Sequence, residues 1–482
     1  MRNINVEHPD YVASKHMWRR YRDLYAGGDR IREHVTEYLV RRNKEPNDVY
    51  FERLSRVFYE NYIGSIIDWY AATLVRREPI ITYDGPSEAG RHFFTSFADN
   101  CDLQGTTITE FFRQRLIEAL VSGKSYIIVD FPRITTPAAN RAEEDALGKS
   151  RAFLVGYAPE SVINWSHDEE GQLETIVIRT SSLKQAEAGS EAWKKETRWI
   201  YYDRETFRIY RSSHEGKIEL ADEGRHGLAS QCRVPVFQLR LSEGLWLMNK
   251  AASLQLEHFN KSNALSWALT MGLFATPVIY SEREWSQIAG ESYYIQLGPD
   301  DRFGWTEPEG HVFQIASDNL DRLKDEIYRV CYLMVQATGP GSTAMSSSGL
   351  SKQRDYGITQ EVLRAYGDAV KHCMKQVLCA IETARQDGLI VDVSGLDEFD
   401  IGDFSTELDD ARKLLDLGIQ SDTFRKQLFK KLALKYFCDL RQEVKNRIAD
   451  EIDRSIDSNS TREETYGGLK ETNSRLNRPR AS

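Results

Sequence analysis

Gly339-Pro340-Gly341-Ser342-Thr343-Ala344-Met345-Ser346-Ser347-Ser348-Gly349-Leu350-Ser351 carries no charge, and its only large side chains are Met345 and Leu350. By composition alone such a stretch reads as a flexible surface linker. Its neighbours argue otherwise, because it lies between two strongly helical segments and not between regions of different composition. Downstream, residues 353–387 read as the longest helix of the chain, on the order of 50 Å at ~1.5 Å per residue. Its apolar stripe is Ile358, Val362, Tyr366, Ala369, Cys373, Val377, Ile381 and Ala384, and Gly388 ends it. Upstream, residues 317–337 read as a helix with Leu320, Leu323, Ile327, Val330 and Met334 on one face.

Further upstream, Thr276-Pro277-Val278-Ile279-Tyr280 opens a short β-rich module, with turns at Gly290, Gly298-Pro299 and Gly304 and an end near Ile315. Before it, residues 243–271 read as a long helix with Leu245, Met248, Ala252, Leu256 and Phe259 on one stripe. Two helices thus bracket a compact β module: up, across and back down.

The first 240 residues read as α+β, helices first and a small antiparallel sheet after. Residues 48–77 read as one amphipathic helix, capped by Asp48, with Ile63, Ile66, Ile67, Tyr70 and Leu74 on one face and Pro79 stopping it. A helix at 107–122 has capping-box spacing in Thr107 and Glu110, ends at Gly123, and feeds the strand Tyr126–Val129. Residues 134–150 are a polar, Ala-rich insertion. Short strands follow at Phe153–Tyr157, Thr175–Arg179, Glu196–Tyr202, Phe207–Ser212 and Val234–Leu239. Beyond the longest helix, residues 387–410 hold nine carboxylates and no Lys or Arg. Helices at 406–417, 421–435 and 439–455 come next, and a polar tail starts at Asp457.

The chain has 482 residues, 63 Lys plus Arg against 73 Asp plus Glu, and a net charge of −10. Hydrophobic residues make up 41%, enough for a core, which excludes a disordered or collagenous chain and a multi-pass membrane protein. A protein that coats DNA by counterion release should be net basic, so any contact with DNA is loose or local. The opening residues, without a charged start, an apolar core and a small-residue cleavage site, do not read as a secretory signal. The six cysteines show no CxxC pair and read as reduced thiols made in a cytoplasm. Ser262 to Ser281 is uncharged, yet Asn263, Gly272 and Pro277 interrupt it, so it reads as a helix followed by a strand and not as a membrane span.

Catalytic signatures are weak. Gly123-Lys124-Ser125 lacks the upstream glycine of a phosphate loop, since position 118 is Glu118, and it sits in helix-then-strand order. Asp397, Asp400 and Asp403 lack the glycine and distal glutamate of a calcium loop, so the acidic run reads as a solvated face. His258 and His372 have no second ligand at i+4 and read as packing or surface histidines. No cofactor is expected, and no enzyme signature is present.

The order of elements resembles the portal (head-to-tail connector) proteins of tailed bacteriophages. Leu74-Val75-Arg76-Arg77-Glu78-Pro79 looks like the end of that family's opening wing helix. Gly123-Lys124-Ser125-Tyr126-Ile127-Ile128-Val129-Asp130-Phe131-Pro132 and Tyr157-Ala158-Pro159-Glu160-Ser161-Val162-Ile163-Asn164-Trp165 look like wing-sheet signatures. Gly418-Ile419-Gln420-Ser421-Asp422-Thr423, with the helix running to Glu451-Ile452, is similar to the segment that closes many portal sequences. The resemblance covers about residues 8–455; the insertion at 134–150 and the tail match nothing in it.

The resemblance implies a homo-oligomeric ring, usually of twelve subunits, at one capsid vertex, through which double-stranded DNA is packaged and ejected. It divides the chain into wing (1–240), first stem helix (241–272), clip (273–316), second stem helix (317–338), tunnel loop (339–352), long wing helix (353–393) and crown with tail (394–482). The implied partners are the terminase packaging motor, a head–tail adaptor, and the major capsid and scaffolding proteins. The protein would be assembled in the host cytoplasm and carried in the virion, with no membrane step. Ser342, Thr343, Met345, Ser346, Ser347, Ser348 and Leu350 would line the channel, with Lys352 and Arg354 at the loop base touching phosphate. Glu282, Arg283, Glu284 and Trp285 in the clip would meet motor or adaptor. The competing readings are a capsid-associated adaptor without a channel and a metal-dependent nuclease using Asp400 or Asp403.

Overall fold

The computed structural model describes residues 4–133, 139, 141–185, 193–212, 217–272, 276–280, 300, 302–306, 310–333, 349–396, 404–417, 419, 421–437, 444–445 and 447–456. The architecture is α+β. Helices α1 (Pro9–Ala26), α2 (Gly28–Glu33), α3 (Val35–Tyr38), α4 (Asn47–Ser55) and α5 (Tyr62–Leu74) open the chain. Strand β1 (Ile80–Asp84), helices α6 (Glu88–Asp99) and α7 (Ile108–Ser122), strand β2 (Lys124–Asp130) and helix α8 (Arg141–Ala146) follow. Seven strands come next: β3 (Phe153–Tyr157), β4 (Val162–His167), β5 (Leu173–Gln185), β6 (Trp193–Tyr202), β7 (Thr206–Ser212), β8 (Ile218–Arg225) and β9 (Val236–Arg240). The remainder is α9 (Leu247–Gly272), β10 (Thr276–Tyr280), β11 (Arg302–Thr306), α10 (Gly310–Val330), α11 (Gly349–Arg385), β12 (Ile390–Ser394), α12 (Phe404–Asp416) and α13 (Asp422–Tyr436).

The apolar face expected on the 48–77 segment is real: Ile63, Ile66, Ile67, Tyr70 and Leu74 are all buried in the main core. The single helix is not. The segment breaks between Ser55 and Tyr62, and the first helix is preceded by Pro46, not capped by Asp48. The break has a local cause, since the Asn61 side chain accepts from Gly64 N at 2.9 Å and starts a new helix. It is held open by Tyr59, whose hydroxyl donates to Leu24 O at 2.8 Å.

Helix α7 runs as its spacing predicts. Thr107 accepts from Glu110 N at 3.2 Å, and Gly123 closes the helix in the left-handed region at φ 82. A Cβ at position 123 would meet the Trp246 ring at 3.1 Å, so glycine is required twice over. Strand β2 is the centre of the antiparallel sheet β3-β2-β9, buried over most of its length. A second sheet, the meander β4-β5-β6-β7-β8, packs on it through Tyr126, Ile128, Val162, Ile176, Ile178 and Ile200. The outer face of the meander is covered at its base by Tyr11 and Trp18 of α1.

The helix after the β module begins at Gly310 and ends at Val330, so Ile315 lies on it and not in the module. Phe313, Ala316, Leu320, Leu323 and Ile327 continue one stripe through both halves, which is why the helix starts early. Likewise α11 begins at Gly349, so Leu350, Ser351 and Lys352 are helical. On α11, Val362, Tyr366, Cys373, Val377 and Ile381 are buried as expected, whereas Ile358 is exposed. Thr359 turns inward there instead, donating to Tyr332 O at 2.6 Å.

Strand β12 returns to pair antiparallel with β1, Ile80 opposite Ser394, closing a loop of more than 300 residues. Gly367 makes the return possible: a Cβ there would lie 2.0 Å from the Leu396 carbonyl oxygen. At the end of α11, Arg385 is buried, its Nε 2.7 Å from Asp387, its NH2 3.3 Å from Asp145 and its plane over the Phe93 ring. Its NH1 also donates to Ser150 O at 2.5 Å. Asp387 therefore is not part of a solvated acidic face. Arg385→Met, which removes the buried guanidinium from Asp387, Asp145 and the Phe93 ring together, should cost about 3–5 kcal/mol of stability in denaturant titration. The same variant should expose residues 141–151 to limited proteolysis, because Asp145 and Ser150 lose their anchor.

Candidate functional site: the helical stalk and its root

Helices α9 and α10, joined through the antiparallel pair β10–β11, form a two-helix stalk. Three side-chain amides fix its root. Asn263 accepts from Phe58 N at 3.1 Å and donates to Phe58 O at 2.9 Å. Asn260 accepts from Val40 N at 2.8 Å and donates to Tyr38 O at 3.0 Å. Gln255 accepts from Ile63 N at 3.2 Å and donates to Glu60 O at 2.7 Å. Each amide thus supplies the donor and acceptor that another peptide unit would, at places where the N-terminal helices stop and leave main-chain groups open.

The other end of the root is closed by hydroxyls. Tyr70 donates to Cys331 O and Tyr366 to Leu245 O, both at 2.7 Å. Tyr332 adopts φ 64, its hydroxyl donating to Gly244 O at 3.0 Å, and Lys250 lies over its ring. Core helices α5 and α11 therefore hold both points where the stalk enters and leaves.

A groove of about 500 Å³ opens beside the root, lined by Glu60, Tyr62, His258, Leu265, Leu269, Leu320, Asp321 and Lys324 among others. His258 is buried beneath it, its Nε2 3.4 Å from Glu60 Oε2 and its ring edge-on to Tyr62. Its Nδ1 is buried without a partner, so it is not the satisfied packing histidine expected from sequence. Burial pushes the imidazole below the usual histidine range, against the opposing pull of Glu60. The groove therefore holds two carboxylates beside a histidine that stays neutral near pH 7.

Of the residues proposed from sequence, Ser342, Thr343, Met345, Ser346, Ser347 and Ser348 lie outside the described residues, as do Glu282, Arg283, Glu284 and Trp285. Leu350, Lys352 and Arg354 fall on the first turns of α11. Lys124 begins β2 directly after the α7 cap, in the helix-then-strand order expected, and its Nζ sits 5.0 Å from the Trp165 ring centre, with Trp18 and Tyr126 beside it. Asp400 and Asp403 lie outside the described residues, among which no group of three His, Cys, Asp or Glu is placed to hold a metal. Among the described residues no helix is long and apolar enough to cross a membrane. Cys101, Cys331 and Cys373 are free and buried; Cys232 is free and exposed. Gln255 and Asn260 are not singled out by the sequence, and Asn263 is visible there only as an interruption of the uncharged stretch, not as a clamp. The available signal is amides recurring at 255, 260 and 263 on the long helix, beside its apolar stripe.

Asn263→Leu should cost about 1–3 kcal/mol, since both Phe58 main-chain groups lose their partner; denaturant unfolding with tryptophan fluorescence would read it. A histidine held low when folded binds fewer protons than when unfolded, so its contribution is complete above the ordinary histidine range and is lost as pH falls through it. Stability should decline from pH 7 to pH 5, and His258→Phe should make that part of the profile shallower, with His226, also held low by burial, still contributing.

No protein-family model matches the chain, and no curated protein does. Among solved structures it is similar to a chain from the virion of a native gene transfer agent (GTA) particle, at 13% identity and TM-score 0.42, covering 82% of this chain and 96% of that one. It is also similar to a chain from the neck of the empty GTA particle computed with C6 symmetry, at 13% identity and TM-score 0.41, covering 81% and 95%. A chain from the neck of the native GTA particle computed with C12 symmetry matches at 12% identity and TM-score 0.38, covering 76% and 89%.

Proposed function

We propose that this chain is a portal subunit, one of a ring at a capsid vertex that lets double-stranded DNA pass and docks a packaging motor and tail adaptor. The observation that carries the reading is the stalk. Its root is buried and clamped, while further out Leu269, Val312 and Ile315 stand 40%, 61% and 55% exposed, and Tyr280 in the β pair 64%. Large apolar side chains left bare on a structure anchored at one end call for neighbouring copies. Leu408, Leu414 and Leu417 on and after α12 are bare in the same way.

The channel role follows from charge. A conduit must not grip, because each phosphate neutralised by Lys or Arg releases counterions and adds affinity that slows sliding. Residues 339–351 offer hydroxyls and glycines without charge. Twelve chains of net charge −10 would surround the duplex with about −120, which repels a polyanion from the wall. Lys352 and Arg354, at the start of α11, are the cations nearest the loop in sequence.

Negative-stain imaging with mass measurement of the purified chain tests the reading: rings with a central hole are expected, and a monomer at all concentrations would sink it. Deleting 342–348 should leave rings intact and impair DNA packaging or retention; unchanged packaging would remove the loop from the mechanism.

A further inference from the structure

The stalk root carries opposite charge on its two flanks. Counting 100° per residue, Asn260, Asn263 and Trp267 centre about 170° around α9 from His258, Leu265 and Leu269. The first side is backed by the α3–α4 loop, tied through Val40 and Tyr38 to Asn260, and by Arg56, whose guanidinium lies 5.7 Å from the Trp267 ring centre. That loop is Val40-Arg41-Arg42-Asn43-Lys44, every residue exposed, with Val40 at 68%. The second side is the groove, where Glu60 and Asp321 sit beside Leu265, Leu269 and Leu320, with His258 neutral beneath them. One flank thus presents a basic loop with an apolar residue at its base, and the other an acidic groove with an apolar floor.

We infer that the groove receives the 40–44 loop of the adjacent copy, with Arg42 and Lys44 meeting Glu60 and Asp321 and Val40 meeting the leucines. This rests on the ring reading and specifies its contact. A head-to-tail interface needs two different, complementary patches on opposite sides of one subunit, and closes into a ring when the rotation is right. The loop is tied to α9 through Asn260, and His258, Leu265 and Leu269 of the same helix line the groove, so both patches are set by one element whose direction the three amides fix. Lys324 lies in the groove too and tempers its charge, so the two carboxylates and the leucines act together in the fit.

The full chain tests this. R42E/K44E and E60K/D321K should each lose the ring mass at a concentration where the wild type assembles, requiring at least about tenfold more protein to recover it. Below the concentration at which the wild type assembles, their far-ultraviolet circular dichroism should match the wild type. Mixing the two variants, or joining all four substitutions in one chain, should restore rings, because every interface again pairs opposite charges. In wild-type rings a zero-length carbodiimide should join Lys44 to Glu60 or Asp321 between copies, detected by peptide mass spectrometry. Assembly of either variant at wild-type concentration, failure of the mixture to assemble, or absence of that cross-link from intact rings overturns the contact and leaves the ring standing. A wild-type chain that stays monomeric overturns both.

Discussion

A helix that leaves the body of a protein needs its root held by something directional, and here three side-chain amides do it. Apolar packing of α9 against the core, through Leu247, Met248, Ala251 and Ala252, is strong but tolerant of small rotations. The paired hydrogen bonds of Gln255, Asn260 and Asn263 are not, because each amide must meet one N–H and one C=O of a single short segment. They also explain how the N-terminal helices can stop where they do. The break between α4 and α5 opens the main chain at Phe58, and Asn263 closes it again. Helix break and stalk direction are therefore one feature, set by residues about 200 positions apart.

That distance explains what the sequence could and could not disclose. Helix α7, its Thr107 cap and Gly123 stop, and the strand after it are local chemistry, and were legible. The period through Ile63, Ile66, Ile67, Tyr70 and Leu74 was equally plain, but the same segment's break depends on a partner far along the chain. The β1–β12 pairing was invisible for a similar reason. Each strand is five residues long and alternates correctly, yet one follows a helix stop and the other sits in an acidic run. Gly367 permits the pairing by letting the Leu396 carbonyl approach α11, a contact that no local pattern announces.

The groove was hidden differently. Glu60, His258 and Asp321 are ordinary residues on three segments, with no spacing that marks them as a set. What distinguishes the set is His258, which is buried against the exposed Glu60 and held by that burial below the usual histidine range. The loop positions from Ser342 to Ser348 and the clip positions Glu282 to Trp285 fall outside the described residues, whereas Leu350, Lys352 and Arg354 begin α11. Composition pointed to the uncharged loop, and folding supplied the frame around it.

Charge at the level of the whole chain takes a different meaning once its cations are located. Arg53 and Arg385 are spent inside, on Glu45 and on Asp387 and Asp145, and Lys445 on Glu78. Lys124 is screened by three rings. These groups hold segments together and present little positive potential to the outside. Arg42 and Lys44, like many other Lys and Arg side chains among the described residues, are exposed, and they stand on one flank of the stalk root. In the proposed ring they would be covered by the neighbour's Glu60 and Asp321, so the contact that joins subunits would also remove cations from the surface. Because that pairing covers two carboxylates for every two cations, it leaves the chain's net charge at −10, and the excess of carboxylates would still repel a polyanion from the ring.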